Sequence, residues 1–389
     1  MEAKRGAPDF VLFFLTLVLV GFGLVMIASA SQVIAYWYKE DPFYFVKRQL
    51  ISAGIGFVAL LVTMNIPYRV YKRLFLVIAA GSFLFLLMVF LPGVGKEVNG
   101  ARGWIALGPL SLQPAEFAKL GLLLYLSALI AKKGERFRDF QTGLLPPLIV
   151  TGLFFLVILL QNDLGTGLVL IATAGVVLVT GGANLRHLLK LGILALALIT
   201  GFVLMASYRI ERFTAFLDPW SDQQGAAYQL IMSLYAIAHG GVTGAGFGQS
   251  IQKYFYLPFP HTDFIFAVFA EEFGFVGCVV FVLVYLMYLW RMLILSLRCP
   301  DPFAHLLGTG IVGMIAIQAL INLGGVTGLL PITGVPLPLI SYGGSSLIVC
   351  MTATGLVLSL SREATRRPAR RRARNRQPGV HAVRAYGTR

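Results

Sequence analysis

Long apolar runs separated by short polar stretches are the dominant pattern of this chain. A helix needs about 20 mainly apolar residues to cross a bilayer, and most of the runs approach or exceed that length. The run from 144 to 181 is too long for one span, and Gln161-Asn162-Asp163 divides it in two. The pattern thus predicts ten transmembrane helices. They cover residues 10–30, 49–64, 74–92, 115–131, 144–160, 164–181, 188–207, 264–290, 303–323 and 343–361.

Composition agrees with this pattern. Hydrophobic residues make up 57% of the 389 residues, charged residues only 13%, and the mean hydropathy is +0.79. A soluble domain carries about 25% charged residues, because its surface must face water. The chain is therefore predicted to be an all-α polytopic membrane protein rather than a soluble enzyme.

The distribution of charge predicts the orientation. If the N-terminus is cytoplasmic, 23 of the 32 Lys and Arg fall on the cytoplasmic side, as the positive-inside rule requires. Both termini are then cytoplasmic, and the longest outer loop is 208–263, between the seventh and eighth spans. The net charge of +15 reflects topology here, so no nucleic-acid partner is predicted.

Two domains follow: a transmembrane domain over 1–361 and an Arg-rich cytoplasmic tail over 362–389, predicted to be disordered. The tail contains ten Arg. It could bind anionic lipid or cytoplasmic proteins, or it could serve only to enforce the topology.

Several local patterns carry less information. The segment Ala227–Ala238 fits either an interfacial helix on the outer leaflet or a packed loop helix. The Gly-rich stretch Gly240–Gly248 lacks the strand and the Lys-Ser/Thr pair of a nucleotide-binding loop, so nucleotide binding is rejected. Three isolated Cys and the His residues show no metal-ligand spacing.

Asp263 stands where the long outer loop enters an apolar run, directly after Pro260-His261-Thr262. Such a residue could cap the helix, and it is equally well placed to act as a general base at the membrane surface. Charged residues inside spans cost about 2.5–3.5 kcal/mol on insertion scales, so each needs a partner or a function.

Glu116 and Lys119 follow Pro114 at a helix start and lie three residues apart on one face. They could form a neutralising ion pair, or they could hold a cation ready for a phosphate group. Arg102 adds a second cation on the same side of the membrane. Asp163, at an outer turn between two spans, could be a helix cap or a site residue.

The segment from Pro331 to Ser346 contains three Pro and paired Gly, which preclude a straight helix. Irregular backbone at membrane depth must be buried in protein or line a cavity. We therefore predict a pocket wall there, with a simple packed loop as the alternative.

These motifs together resemble the SEDS family (shape, elongation, division and sporulation), whose members include FtsW, RodA and SpoVE. The resemblance covers roughly residues 10–361. It rests on the blocks Glu116-Phe117-Ala118-Lys119, Asp163-Leu164-Gly165-Thr166, His261-Thr262-Asp263-Phe264 and Asn322 to Ser346. The segments Asp41–Phe45 and Ser250–Lys253 resemble the division branch. Departures from the family pattern occur at Gly103, Ala115 and Asn162.

The resemblance implies a ten-helix peptidoglycan glycosyltransferase that polymerises lipid II at the outer face of the cytoplasmic membrane during septal wall synthesis. Asp263 is then the expected general base, and the leaving diphosphate needs cations rather than an acid. Substrate-binding roles are expected for Arg102, Glu116, Lys119, Asp163, Arg48, His261, Ser341 and Gly343.

Partners and alternatives follow from the same resemblance. The expected partner is a class B penicillin-binding protein, a transpeptidase, together with other division or elongation proteins. A divalent ion (Mg²⁺ or Mn²⁺) bridging the diphosphate is compatible with the residues, and no other cofactor is expected. A lipid II flippase, a non-catalytic scaffold and an elongation polymerase of the RodA type are the alternatives.

Overall fold

The computed structural model describes residues 6–98, 100–108, 110–204, 207–225 and 227–364. Nine of the ten tail Arg, and with them the predicted disorder of the tail, lie outside these residues. The described chain is mostly helical. Its helices are α1 (Phe10–Lys39), α2 (Tyr44–Asn65), α3 (Tyr68–Leu87), α4 (Pro114–Lys133), α5 (Leu145–Leu160), α6 (Leu164–Thr180), α7 (Leu185–Leu204), α8 (Ser207–Leu217), α9 (Tyr228–Gly240), α10 (Ile265–Leu297), α11 (Pro302–Val326) and α12 (Gly344–Ala364).

The predicted polytopic helical architecture is confirmed. Eight of the described helices are long and apolar enough to cross a bilayer: α1 to α5, α10, α11 and α12. Helix α6 is an apolar helix of 17 residues, and the 20-residue α7 occupies most of the predicted segment 188–207. The turn at Gln161–Asp163 separates α5 from α6 as predicted, with Asn162 in the left-handed region at φ +59°.

The predicted outer loop 93–114 contains a small antiparallel sheet, which adds to the helical architecture. Its strands are β1 (Gly95–Val98), β2 (Ala101–Leu107) and β3 (Leu110–Leu112), in the order β1-β2-β3. Gly95 pairs with Ile105, and Ile105 pairs with Leu112. Ile105 is buried, so the sheet covers this end of the helix bundle.

Helices α4 and α12 form the centre of the bundle, and 78% and 89% of their most apolar windows are buried. Polar side chains on these two helices are therefore shielded from lipid. Helix α12 lies tightly against α2, because glycine allows the backbones to approach closely. A Cβ added at Gly355 would lie only 2.6 Å from the carbonyl oxygen of Leu60.

Helix α9 contains the segment for which the sequence allowed either an interfacial helix or a packed loop helix, and the structure shows a packed helix. Its residues Leu230, Ile231 and Ala236 are buried, and Ser233 Oγ donates to the Val326 carbonyl at the end of α11 at 2.7 Å. It leads directly into the Gly-rich stretch Gly240–Gly248.

This Gly-rich stretch packs into a break in α10. Gly274 has φ +64° and ψ −168°, so the α-helical path is interrupted there. Ala245 and Gly246 donate their N–H groups to the carbonyls of Glu271 and Glu272 at 2.9 and 3.0 Å. On the other side of the break, two amides of α10 donate to the carbonyls of Gly241 and Val242. The loop thus satisfies the backbone groups that the break releases.

Candidate active site

Asp263 lies at the start of α10, at what we call the Asp263 end of the bundle. The N-cap position of α10 is Phe264, and no side chain caps the helix there. The Asp263 side chain is half-buried and lies against the bend after α11. Its Oδ2 atom is close to Gly334 of this bend: a Cβ added to Gly334 would lie 3.7 Å from it. Gly334 has φ +74°, a conformation that glycine adopts without strain.

The predicted pocket wall is present as irregular backbone between Pro331 and Gly343. Asn322 of α11 holds it in place: its Nδ2 donates both to the main-chain oxygen of Asp263 and to that of Val335, each at 2.8 Å. Ser341 Oγ accepts from Leu337 N at 2.9 Å. The wall is thus fixed by side-chain hydrogen bonds in place of a regular helical ladder.

Glu116 and Lys119 form the predicted ion pair, with 2.7 Å between Lys119 Nζ and Glu116 Oε1. Their side chains are only 2% and 1% exposed, which places both charges in the protein interior. Lys119 Nζ also donates to Gln318 Oε1 at 2.7 Å, and Gln318 Nε2 donates to the Pro336 carbonyl at 3.1 Å. The buried cation is therefore connected to the wall through one amide side chain.

Helix α11 joins the two parts of the site. Gln318 and Asn322 are four residues apart and hence lie on one face of the helix. Gln318 contacts the Lys119 pair, Asn322 contacts Asp263, and the two amides bind adjacent carbonyls of the wall. A displacement of α11 would therefore move both charged centres together.

Asp163 performs the predicted capping role and also contacts the residue that precedes α4. Its Oδ1 accepts from Thr166 N at 2.9 Å, which caps α6, and its Oδ2 accepts from Gln113 Nε2 at 2.9 Å. The backbone N–H of Gln113 donates to Ser345 Oγ at 2.8 Å. Helix α6 also approaches the wall closely, since a Cβ on Gly165 would lie 2.5 Å from the Thr333 carbonyl.

Ser341 and Gly343 are held by Gln49 of α2. Gln49 Nε2 donates to the Ser341 carbonyl at 3.3 Å, and its Oε1 accepts from Gly343 N at 3.2 Å. The structure therefore gives Ser341 and Gly343 a role in shaping the wall. Arg48, the neighbour of Gln49, donates to Tyr44 Oη at 2.7 Å.

His261 is packed between aromatic rings at the Asp263 end. Its ring centroid lies 4.3 Å from that of Phe45 and 5.5 Å from that of Tyr342. Burial lowers the pKa of His261 to about 4, so the imidazole is neutral at neutral pH. A neutral His261 can donate or accept a hydrogen bond to a substrate, but it adds no positive charge.

Arg102 lies on β2 with an exposed side chain. Its N–H donates to the Gln161 carbonyl at 3.0 Å, which ties the sheet to the turn that carries Asp163. The sequence analysis gives Lys119 and Arg102 the same role, that of a cation for a phosphate group. In the structure, however, the Lys119 side chain is buried and paired with Glu116, whereas the Arg102 side chain is exposed.

Sequence reasoning missed several residues that organise this end. Gln49 and Gln318 are polar residues inside apolar runs, and that signal could have identified them. A second buried ion pair, Lys253–Glu272 at 3.0 Å, was also missed. Within the described residues, no group of three or more His, Cys, Asp or Glu side chains could hold a metal ion.

Comparison with known proteins identifies the family. The profile of a family described as cell cycle proteins (FtsW, RodA and SpoVE) matches residues 10–366. Stage V sporulation protein E of Bacillus subtilis is 44% identical over 365 residues, which cover 93% of this chain and 99% of that protein. A probable peptidoglycan glycosyltransferase FtsW of Geobacter sp. (strain M18) is 39% identical over 353 residues, covering 91% of this chain and 96% of the relative.

Solved structures agree with the sequence relatives. A chain in the structure of a peptidoglycan synthase complex that coordinates polymerization and crosslinking has a TM-score of 0.77 and 36% identity. Thermus thermophilus rod shape determining protein RodA gives a TM-score of 0.69 and 34% identity. Each match covers 92% of this chain and 98% of the other. The chain therefore belongs to the FtsW, RodA and SpoVE family of cell cycle proteins.

Proposed function

We propose that this protein is a peptidoglycan glycosyltransferase that polymerises lipid II, with Asp263 as the general base. The observation that carries the proposal is the position of Asp263: a half-buried carboxylate at a helix entrance, against an irregular wall that buried amides hold in place. The names of the relatives, which include a probable peptidoglycan glycosyltransferase FtsW, supply the reaction class.

The chemistry requires one base and a stabilised leaving group. The 4-hydroxyl of one lipid-linked disaccharide attacks the anomeric carbon of the growing, lipid-linked chain, while Asp263 accepts the hydroxyl proton. A new C–O bond forms as the bond to the lipid diphosphate breaks, and the diphosphate departs as an anion. An α-linked donor gives a β-linked product by inversion.

The cations of the site have different parts in this proposal. Arg102 is exposed and is available to a diphosphate. Lys119 is a positioning residue, because its charge is balanced by Glu116 and reaches the wall through Gln318. Mg²⁺ is usually bound through one or two carboxylates plus substrate phosphates; if such an ion took part, Asp263 would be the carboxylate that holds it, and the ion would stabilise the departing diphosphate.

The membrane orientation supports an outer-face reaction. The positive-inside rule places the opposite end of the bundle, with Lys132, Lys133 and Arg186, in the cytoplasm. The Asp263 end then faces the periplasm or exterior. A transpeptidase of the class B penicillin-binding proteins is the proposed partner, in keeping with the complex that contains a similar chain.

Reconstitution with labelled lipid II and the partner tests this function. Asp263→Asn should lower glycan polymerisation about 10²–10⁴-fold, the usual contribution of general base catalysis. It leaves the main-chain oxygen that binds Asn322 unchanged, so folding should be retained. Asp218→Asn, an exposed residue of the same loop, is the matched control and should retain full activity.

The same preparation separates the alternatives. Polymer on gels without cytoplasmic nucleotide identifies a polymerase, whereas movement of lipid II between leaflets without polymer identifies a flippase. Normal polymerisation by Asp263→Asn would refute the assignment of the base. Absence of both activities in the wild-type complex would favour a scaffold.

A further inference from the structure

A cleft of about 640 Å³ opens at the end of the bundle opposite Asp263. It lies between the turn that follows α4 and the first turns of α7. Six of its lining residues decide its chemistry: Arg138, His187, Lys190, Phe140, Leu191 and Leu194. None of them belongs to the candidate active site.

The cleft has a cationic rim and an apolar interior. Arg138 and Lys190 are both exposed and belong to different elements, so the cleft brings two positive charges together from separate parts of the chain. Leu191 packs against the main apolar core, and Leu194 is 55% exposed. A ligand that fits both parts carries a negative charge at one end and an apolar chain at the other.

The acidic residue of the lining, Asp139, stays ionised and reduces this positive charge, but two cations against one carboxylate leave the lining net positive. Asp139 Oδ2 accepts hydrogen bonds from Thr142 N and Thr142 Oγ1 at 2.8 and 2.7 Å, which lower the pKa of Asp139. Its carboxylate is therefore engaged in capping the turn. Lys133 is likewise engaged, since its Nζ donates to the carbonyls of Thr142 and Gly143.

His187 adds a polar side chain with an unpaired ring nitrogen to the lining of the cleft. Its ring contacts Phe140, with centroids 5.2 Å apart. The Nδ1 atom is shielded from solvent and has no hydrogen-bond partner among the described residues. Buried polar atoms are nearly always satisfied, and a rotation of the His187 ring toward the cleft would bring this nitrogen within reach of headgroup oxygens.

The position of α7 explains why the cleft exists. Leu185, Leu189 and Ile193 are exposed on α7, and they face the surroundings of the bundle. In a bilayer, an apolar opening of this kind beside a spanning helix is filled by lipid. Basic pockets between helices on the cytoplasmic side are known to bind anionic headgroups.

We infer that this cleft binds one anionic glycerophospholipid of the cytoplasmic leaflet. Its phosphate lies at Arg138 and Lys190, and an acyl chain lies along Leu191 and Leu194. The lipid fills the gap between α7 and the bundle, and it thereby holds the helix that leads into the outer loop. This site is separate from lipid II polymerisation and does not depend on the proposed function.

Lipid titration of the purified full chain, followed by native mass spectrometry, tests the inference. Phosphatidylglycerol should bind in preference to phosphatidylcholine. Arg138→Gln and Lys190→Gln should each weaken binding of phosphatidylglycerol about fivefold, the effect of one juxtamembrane cation. Lys132→Gln, an exposed cation near the cleft but outside its lining, is the matched control and should bind like wild type.

Two further arms distinguish a lipid site from a site for a small soluble phosphate. Leu194→Trp should also weaken binding without changing the charge, because it fills the apolar part of the cleft. Glycerol 3-phosphate should not compete at concentrations that saturate the lipid. Equal binding of the two lipids, equal loss in Lys132→Gln, or full competition by glycerol 3-phosphate would each overturn the inference.

Discussion

At the scale of the residue, two buried lysines of the described chain are each neutralised by a buried glutamate. Lys119 is paired with Glu116, and Lys253 with Glu272, and all four side chains are at most 4% exposed. A single charge in such a position would be costly, whereas a hydrogen-bonded pair is tolerated. Glu271 is also buried, and it accepts hydrogen bonds from Ser250 Oγ and from Ile251 N.

The pair of Lys119 and Glu116 allows structure and function to be separated by mutation. Lys119→Met leaves Glu116 buried without its cation and should cost about 3–5 kcal/mol of stability. The double variant Glu116→Gln, Lys119→Met removes both charges and should recover much of that loss. Thermal unfolding of the purified variants in detergent measures the difference.

Activity of the same variants shows which role Lys119 has. If Lys119 positions the wall through Gln318, the double variant should be stable but still impaired in polymerisation. Normal turnover of the double variant would show that the pair serves stability alone. Equal stability of the single and double variants would contradict the proposed cost of the unpaired charge.

The sequence indicates some of these residues and not others. Glu116 and Lys119 are three residues apart, so helical geometry alone predicts their contact. Gln318 lies 199 positions from Lys119, and Gln49 lies 292 positions from Ser341. Contacts over such distances are created by helix packing, and one sequence contains no local pattern that reports them.

At the scale of the element, the broken helix α10 gives the Gly-rich stretch Gly240–Gly248 a structural purpose. A Cβ on Gly274 would overlap the backbone nitrogen of Gly244, and one on Gly244 would overlap the Glu272 carbonyl oxygen. Only glycine at both positions permits this approach. The loop is thereby fixed to α10, which begins two residues after Asp263.

Gly274→Ala should destabilise the protein and lower its activity. Alanine at φ +64° and ψ −168°, a region that is essentially restricted to glycine, costs about 1–3 kcal/mol, and the contact with Gly244 adds to that. Gly175→Ala in α6 is the control, because a Cβ there meets nothing within 4 Å and alanine favours the helix. Thermal unfolding and lipid II polymerisation measure the two variants.

A Gly274→Ala variant as stable as Gly175→Ala would show that the break in α10 is not required. The sequence did not predict the break, because the run 264–290 is apolar overall despite Glu271 and Glu272, and hydropathy reports length rather than backbone angles. It also missed strands β1 to β3, which are short and contain a register shift between Lys96 and Val98. The long apolar helices, by contrast, were predictable from length and hydropathy, and eight of the described helices are long and apolar enough to cross a bilayer.

At the scale of the whole molecule, the turn at Asp163 fixes both the helix count and the placement of the site. If α5 and α6 are separate spans, Gly182 lies at the opposite end from Asp163. A reporter fused after Gly182 should then be cytoplasmic, and one fused after Gly100, in the β1–β2 turn, should be on the outer side. Alkaline phosphatase and fluorescent protein fusions give complementary signals for this measurement.

A periplasmic signal from the Gly182 fusion would undo the proposed orientation together with the outer location of Asp263. Consecutive helices are joined by short connections, apart from the sheet segment between α3 and α4 and the segment between α7 and α10. That segment contains α8, α9 and the loop that supports α10. The chain that follows α7 therefore leads through this segment to Asp263, and a change in the tilt of α7 could be transmitted along it.

The central position of α4 has a consequence for the synthesis of the protein. Its mean hydropathy of 1.4 is the lowest among the eight long apolar helices, and it carries the charges of Glu116 and Lys119. Its partner Gln318 is made only after about 200 more residues have left the ribosome. Until then, Glu116 is the one of these two hydrogen-bond partners that Lys119 has in the nascent chain. Variants that separate this pair should fail first at the translocon, before the completed protein has had the chance to fold.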